Sequence, residues 1–345
     1  MKKALIASSI LFLPSSAFAE LTVDAYGSLR IQAESVSVKT LSPTSQALND
    51  ESSYTDLRDA YSRFGVNLSY PLANGTTLGA KIEVPFNSAE MKMNDPTGFA
   101  AYYKDPNSLD NNYPRIYKMT ASGDWGSVAV GKQWLTYYNY VAYPVDYFSS
   151  FYSGWSTYAY FRREAVTYTS PSFSGLNFAV SAVDISDAPS SDYLDTMQYA
   201  LSYSIGGLTL SAALEDQNKS IGDTDTYGIS ASYTTGPWRF ATKYEETEDS
   251  ISIYNLYGSY TLGKYTFKAH FSEGDQGGYA PGTVVHLGAD YQYTKNFKVF
   301  LEYFTEETAY AVLPDKSIGD YLADNGYASF GKDSQAIAVG IRYDF

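Results

Sequence analysis

The sequence has no cysteine and only two histidines, His270 and His286. Disulfides, thiol nucleophiles and thiolate metal sites are therefore excluded. It is also short of positive charge: 24 Lys and Arg stand against 38 Asp and Glu, a formal net charge of −14. That balance argues against nucleic acid as a partner. Long apolar runs are missing too. A helix needs about 18 consecutive apolar residues to cross the ~30 Å of hydrocarbon in a bilayer, and no stretch reaches that. The only apolar run of note is Ala4–Leu13, behind Lys2 and Lys3 and ahead of Ala17-Phe18-Ala19. This is the pattern of a secretory signal peptide over residues 1–19, cleaved before Glu20. Its loss takes away two lysines and no acid, moving the charge from −14 to −16.

What is present is tyrosine, 35 of them against 18 phenylalanines and 4 tryptophans. A tyrosine ring is apolar along its body and polar at its tip, which suits a membrane–water interface. The second abundant feature is alternation. Met197, Tyr199, Leu201, Tyr203 and Ile205 alternate with Gln198, Ala200, Ser202 and Ser204. At the C-terminus Ile337, Val339, Ile341, Tyr343 and Phe345 alternate with small or charged residues. Successive side chains of a strand point to opposite faces, so each such segment has one apolar and one polar side.

Counting these segments predicts sixteen strands, over 21–33, 57–70, 76–86, 113–121, 127–133, 163–169, 176–183, 196–205, 208–215, 226–234, 238–245, 252–262, 265–273, 283–294, 297–308 and 334–345. Their connections alternate in kind. Seven are short and rich in turn residues, such as "PLANG" at 71 and "GG" at 206. The others are longer, among them 34–56, 87–112, 134–162 and 309–333. A soluble sandwich gives no reason for that alternation, whereas an outer-membrane barrel does. In hydrocarbon every backbone N–H and C=O needs an internal partner, so a spanning sheet must close on itself. Sixteen strands around a ring leave an aqueous lumen. The expected fold is all-β: a 16-stranded antiparallel transmembrane β-barrel over residues 20–345.

Parity assigns the inner wall. Phe64, Val66 and Leu68 face lipid, so Arg63 faces in. Ile82 and Val84 face lipid, so Lys81 and Glu83 face in. Val166 and Tyr168 face lipid, so Arg163 faces in, and Arg30 shares the face of Asp24 and Gln32. The connection from Trp134 to Phe161 is unusual: 13 of its 28 residues are aromatic, including Tyr138, Tyr147 and Trp155. Such rings either stack on the apolar faces of sugars or pack the loop against the wall.

Several stretches resemble the general porins of Gram-negative outer membranes: "ELTVDAYGSLRIQAE" at 20, "DAYSRFGVNLSYPLANGTTLGAKIE" at 59, "GDWGSVAVGKQW" at 123 and "REAVTYTSPSFSGLNFAVSAV" at 163. The resemblance implies a homotrimeric, 16-stranded channel in the outer membrane whose third extracellular loop folds into the lumen. It passes ions and small hydrophilic solutes by passive diffusion and needs no cofactor. Lipid and lipopolysaccharide surround it. A terminal strand carrying Tyr343 and Phe345 matches the family's signal to the barrel-assembly machinery. The family's eyelet sets a basic wall against acids. Here that wall maps onto Arg63, Arg115 and Arg163, with Arg162 if a bulge shifts the register, and with Lys81 and Arg30 nearby. Asp146 stands where the family carries a loop acid, although "YPVDYFSSFYSGW" replaces the usual motif. Glu83 is the second acid. Lys118 is left open: strict alternation from Arg115 would point it at lipid. The aromatic loop keeps a saccharide-preferring, chitoporin-like pore open as an alternative, with Trp134, Tyr138, Tyr147 and Trp155 as its stacking rings. A barrel hydrolase is a third reading, but no nucleophile–base–orienter set is fixed by the sequence. Acids in the loops lead to an expectation of mild cation preference.

Overall fold

The computed structural model describes residues 20–41, 48–91, 114–152, 157–184, 196–217, 224–276, 279–308 and 331–345. The expected signal peptide, residues 1–19, lies outside them. Seventeen strand segments are seen: Thr22–Leu41 (β1), Leu48–Asp59 (β2), Arg63–Pro71 (β3), Thr77–Pro85 (β4), Ile116–Gly123 (β5), Gly126–Trp134 (β6), Arg162–Thr169 (β7), Leu176–Asp184 (β8), Thr196–Ile205 (β9), Leu208–Gln217 (β10), Thr226–Thr235 (β11), Trp238–Thr247 (β12), Ile251–Leu262 (β13), Tyr265–Gln276 (β14), Tyr279–Gln292 (β15), Phe297–Thr308 (β16) and Gly331–Asp344 (β17). From β3 onwards each pairs antiparallel with its chain neighbours. β1 closes the ring on β17, from Ser28 opposite Asp344 to Thr40 opposite Gly331.

The seventeen segments fill sixteen places. β2 and β3 both pair with β1, over Ile31–Leu41 and Thr22–Ser28 respectively, and are two halves of one interrupted strand. The expectation of one strand over 57–70 after a loop over 34–56 is corrected accordingly. The interruption is a kink at Ala60–Ser62. Tyr61 takes a positive φ of 66°, and the Ser62 amide is capped by Asp59 Oδ2 at 2.9 Å. Such irregularities bend a strand and re-aim a side chain. Here Tyr61 is turned onto the third connection, where its hydroxyl donates to the Phe151 carbonyl at 3.0 Å and its ring stacks on Phe151. The connection expected over 246–251 is also tighter than the sequence suggests, since β12 and β13 are joined by three residues, 248–250.

Alternation does what it should. Large apolar side chains such as Val66, Ile82, Leu201, Ile229, Leu256, Leu301 and Val339 stand exposed on the outer surface. Their neighbours in sequence, among them Glu83, Gln198, Glu302 and Ala338, are buried on the inner one. Exposed aromatics gather near both rims of the outer surface. Tyr203, Tyr233, Trp238, Tyr265, Tyr293 and Tyr343 lie near the short turns, and Tyr227 and Tyr244 near the opposite end. At the seam, Phe345 and Gly27 exchange two backbone hydrogen bonds of 2.9 and 3.0 Å.

Candidate functional site

The third connection, between β6 and β7, begins with a π-helical turn, Tyr138–Ala142, and a 3-10 turn, Tyr143–Val145. A chain segment taken out of water must find partners for its amides. Inward-facing side chains supply them. On β16, Glu302 accepts from the amides of Ser149 at 2.8 Å and Ser150 at 3.0 Å. The same carboxylate pairs with Lys268 at 2.9 Å and His286 at 3.1 Å. On β12, Glu245 accepts from the Tyr158 amide at 2.6 Å and the Thr157 hydroxyl at 2.8 Å, and pairs with Lys243 at 3.2 Å. On β10, Glu215 accepts from the Tyr160 amide at 2.9 Å and from the Gln198 amide group. On β1, Glu34 accepts from the Tyr152 hydroxyl at 2.6 Å, while Gln32 Oε1 accepts from the Phe151 amide at 2.8 Å. The connection is thus bonded to inner-wall residues of β1, β10, β12 and β16.

A second group sits on β1, β3 and β4 and the chain leading into β5. Three cations surround one buried carboxylate: Arg115 at 3.5 Å, Arg63 at 3.8 Å and Lys81 at 3.9 Å from Glu83. Tyr26 donates its hydroxyl to the same group at 2.9 Å, and Lys81 lies 4.6 Å over the Tyr26 ring. Arg30, held by Ser28 Oγ at 2.8 Å, is within electrostatic range of Arg63 and Arg115. Five of the residues expected along a basic wall and its acid therefore come together: Arg30, Arg63, Lys81, Glu83 and Arg115.

The remaining expected residues sit elsewhere. Arg163 stacks over Tyr160 at 5.2 Å. Arg162 lies 5.5 Å from the Trp134 ring centre and 5.9 Å from that of Phe161. Arg115, 5.8 Å from Trp134, links this group to the first. Asp146 accepts from the Tyr138 hydroxyl at 2.7 Å and lies within electrostatic range of Lys243 and His286. Burial and that neighbouring carboxylate hold the Tyr138 phenol above its ordinary pKa, so it stays a donor. Trp134 stacks on Tyr138 at 4.6 Å, and Tyr138 is buried. Tyr147 lies under Arg239, packed between Tyr143 and Tyr257. These rings are engaged with each other and with the wall. Trp155 lies outside the described residues.

Lys118, which the sequence leaves open, faces in with Lys81. It stands directly opposite Lys81 across the β4–β5 ladder, while its neighbour Met119 is exposed on the outer surface. Parity counted from Arg115 fails because that residue precedes β5, where alternation does not apply. Sequence reasoning also passed over the clamping acids Glu34, Glu215, Glu245 and Glu302. Their parity was readable, with Glu215 on the polar face of its strand, but nothing in the sequence says which inward acid meets a loop.

The model of the family described as Gram-negative porin matches residues 4–309. Outer membrane protein U of Vibrio parahaemolyticus is 27% identical over 165 residues, 45% of this chain, and the match spans about half that relative, 46%. An anion-selective porin from Comamonas acidovorans superimposes with a TM-score of 0.66 at 17% identity, over 94% of this chain and 100% of that one. Outer-membrane-expressed OmpT of Vibrio cholerae gives 0.62 at 17% identity, over 96% and 99%. A trimer form of in-vitro folded OmpT gives 0.60 at 18% identity, over 94% and 99%. A closed ring of sixteen strands, greasy outside and charged within, agrees with the family match, and the chain belongs to the Gram-negative porins, as an outer-membrane β-barrel.

Proposed function

We propose that this chain forms a water-filled channel through which ions and small hydrophilic solutes diffuse down their own gradients. The observation that carries the reading is the inner wall. It is lined with ionised and amide side chains, and the third connection is bonded against one part of it. A bore built from such groups favours polar solutes, and its charges set which ions pass. Arg30, Arg63, Lys81 and Arg115 form the basic side of its narrow part, with Glu83 as the acid among them and Asp146 on the loop. Arg162 and Arg163 flank the root of that loop. The rings of Trp134, Tyr138 and Tyr147 serve loop packing on this reading.

We also propose that residues 1–19 are a cleaved signal, that Tyr343 and Phe345 present the last strand to the assembly machinery, and that the working form is a homotrimer in lipid and lipopolysaccharide. Outward aromatics support the last point. From Phe173 to Phe345 the exposed large side chains are rich in Tyr, Phe and Trp. On β1 and β3–β7 and the turns between them they are aliphatic apart from Phe64 and Trp125: Val23, Leu68, Leu78, Ile82, Met119, Val130 and Val166. A face that meets another subunit has no need of an interfacial girdle.

The test is reconstitution into planar bilayers. Stepwise, ohmic conductance increments are expected, along with swelling of liposomes in small sugars. Folded protein that gives neither would overturn the reading. Block of the current by chito-oligosaccharides at millimolar levels would point instead to a saccharide-preferring pore.

A further inference from the structure

The strand register places like charges directly opposite one another on the inner wall. Arg30 of β1 faces Arg342 of β17, and Arg342 faces Lys298 of β16 on its other side. A second row pairs Lys81 with Lys118. Like charges directly opposite are destabilising in a sheet. Two such rows, with Arg63 on the strand between them and Arg115 at the start of the chain entering β5, incur that cost repeatedly. Nearby acids do not cancel them. Glu83 is shared by three cations. Asp344 is paired with Arg342 at 2.8 Å and shared at longer range with Arg30. Asp290 is shared by Lys298 at 2.7 Å and Lys268 at 3.0 Å. Asp24 is bonded at long range by Asn67. Among the described residues, neither Arg30 nor Lys118 is within ion-pair distance of a carboxylate. Seven cations therefore face four acids. The clamping acids Glu245 and Glu302 are occupied with the third connection and with Lys243, Lys268 and His286.

We infer that this band is an anion-binding surface, and that the pore prefers anions: chloride over potassium, and small solutes carrying a phosphate or paired carboxylates over neutral ones of equal size. The inference rests on the channel reading. It adds Lys118, Lys298 and Arg342 to the residues that set selectivity, and it opposes the cation preference suggested by the overall charge of −14. Acids in the loops act at the mouth, through bulk water and salt. The basic rows line the inner wall itself, with Lys298 and Arg342 toward the short-turn end, and charge close to the path of the ion counts for more.

The experiment uses the full-length protein refolded and inserted in planar bilayers under a potassium chloride gradient, with heat-modifiable gel mobility as a check on folding. A reversal potential of the sign given by chloride permeation is expected. It should weaken as salt rises, and inorganic phosphate should reduce the chloride current at constant ionic strength. The variant Lys81→Gln/Lys118→Gln should lower the chloride-to-potassium permeability ratio by about twofold per charge removed, the size of a water-screened interaction across several ångströms. Lys81→Arg/Lys118→Arg should keep it. Normal conductance steps with a potassium-selective reversal potential would overturn the inference while leaving the channel standing. So would a ratio unmoved in a folded glutamine variant. Folded protein without any conductance would remove both.

Discussion

A carboxylate such as Glu302 shows how one residue can be both structural anchor and electrostatic counterweight. Its two oxygens accept from two loop amides and are paired with Lys268 and His286, with no exposure of the carboxylate to solvent. Removing a member of a buried ion pair leaves the partner charge uncompensated, a loss of about 3–5 kcal/mol. Glu302→Ala should therefore leave Lys268 with Asp290 alone and the Ser149–Ser150 backbone without acceptors. A noisier and larger single-channel current is expected, with cleavage of the third connection by added protease and heat modifiability at a lower temperature. Quiet wild-type conductance from folded Glu302→Ala would show that this clamp does not hold the loop. Thr283→Ala, at a position opposite Glu273 on β14, should change none of these readouts.

At the level of strands, the last residue is seated on a glycine. A Cβ built on Gly27 would lie 2.3 Å from the Phe345 ring, and one on Gly258 no nearer than 3.7 Å to any side chain. Gly27→Ala should thus displace the terminal ring at the barrel seam, at a cost of about 1–3 kcal/mol typical of overpacking. Slower folding into lipid vesicles and a lower heat-modification temperature are expected. Gly258→Ala should match wild type, and equal behaviour of the two variants would refute the seating. None of this contact was visible in the sequence, whereas the strand pattern was. Period-2 alternation located fourteen of the sixteen strands to within a few residues, because lipid on one side and water on the other enforce a strict two-fold rhythm. It failed where the rhythm does not govern. Tyr61 sits at a kink, Arg115 precedes its strand, and β1 and β2 run beyond their alternating parts as a paired hairpin. Of the site, Arg63, Lys81 and Glu83 were readable from parity and Arg115 from resemblance. Asp146 came from the resemblance, and its bond from Tyr138 was not legible, since which loop residue meets which neighbour is decided by the path of the third connection.

Considered whole, the barrel has two kinds of outer surface, and that asymmetry makes a prediction about assembly. A uniformly lipid-facing barrel would carry Tyr and Trp around its full circumference, because both rims lie at the interface everywhere. This one has a mainly aliphatic sector on β1 and β3–β7, with Trp125 in its β5–β6 turn, and there Ile82 and Met119 are among the most exposed apolar side chains, at 54% and 64%. If that sector packs around the axis of a symmetric ring, the same residue of two copies comes within reach of a short linker. The absence of native cysteine makes the point testable without background. Ile82→Cys and Met119→Cys, each folded and treated with a short bismaleimide, should run as dimers on denaturing gels, since one thiol per chain lets the reagent join only two copies. Leu256→Cys on β13, 43% exposed within the aromatic-rich sector, should stay monomeric under the same treatment. Cross-linking from Leu256→Cys and none from Ile82→Cys or Met119→Cys would place the contact on the opposite side of the barrel. No cross-linking from any of the three would argue that the barrel works alone.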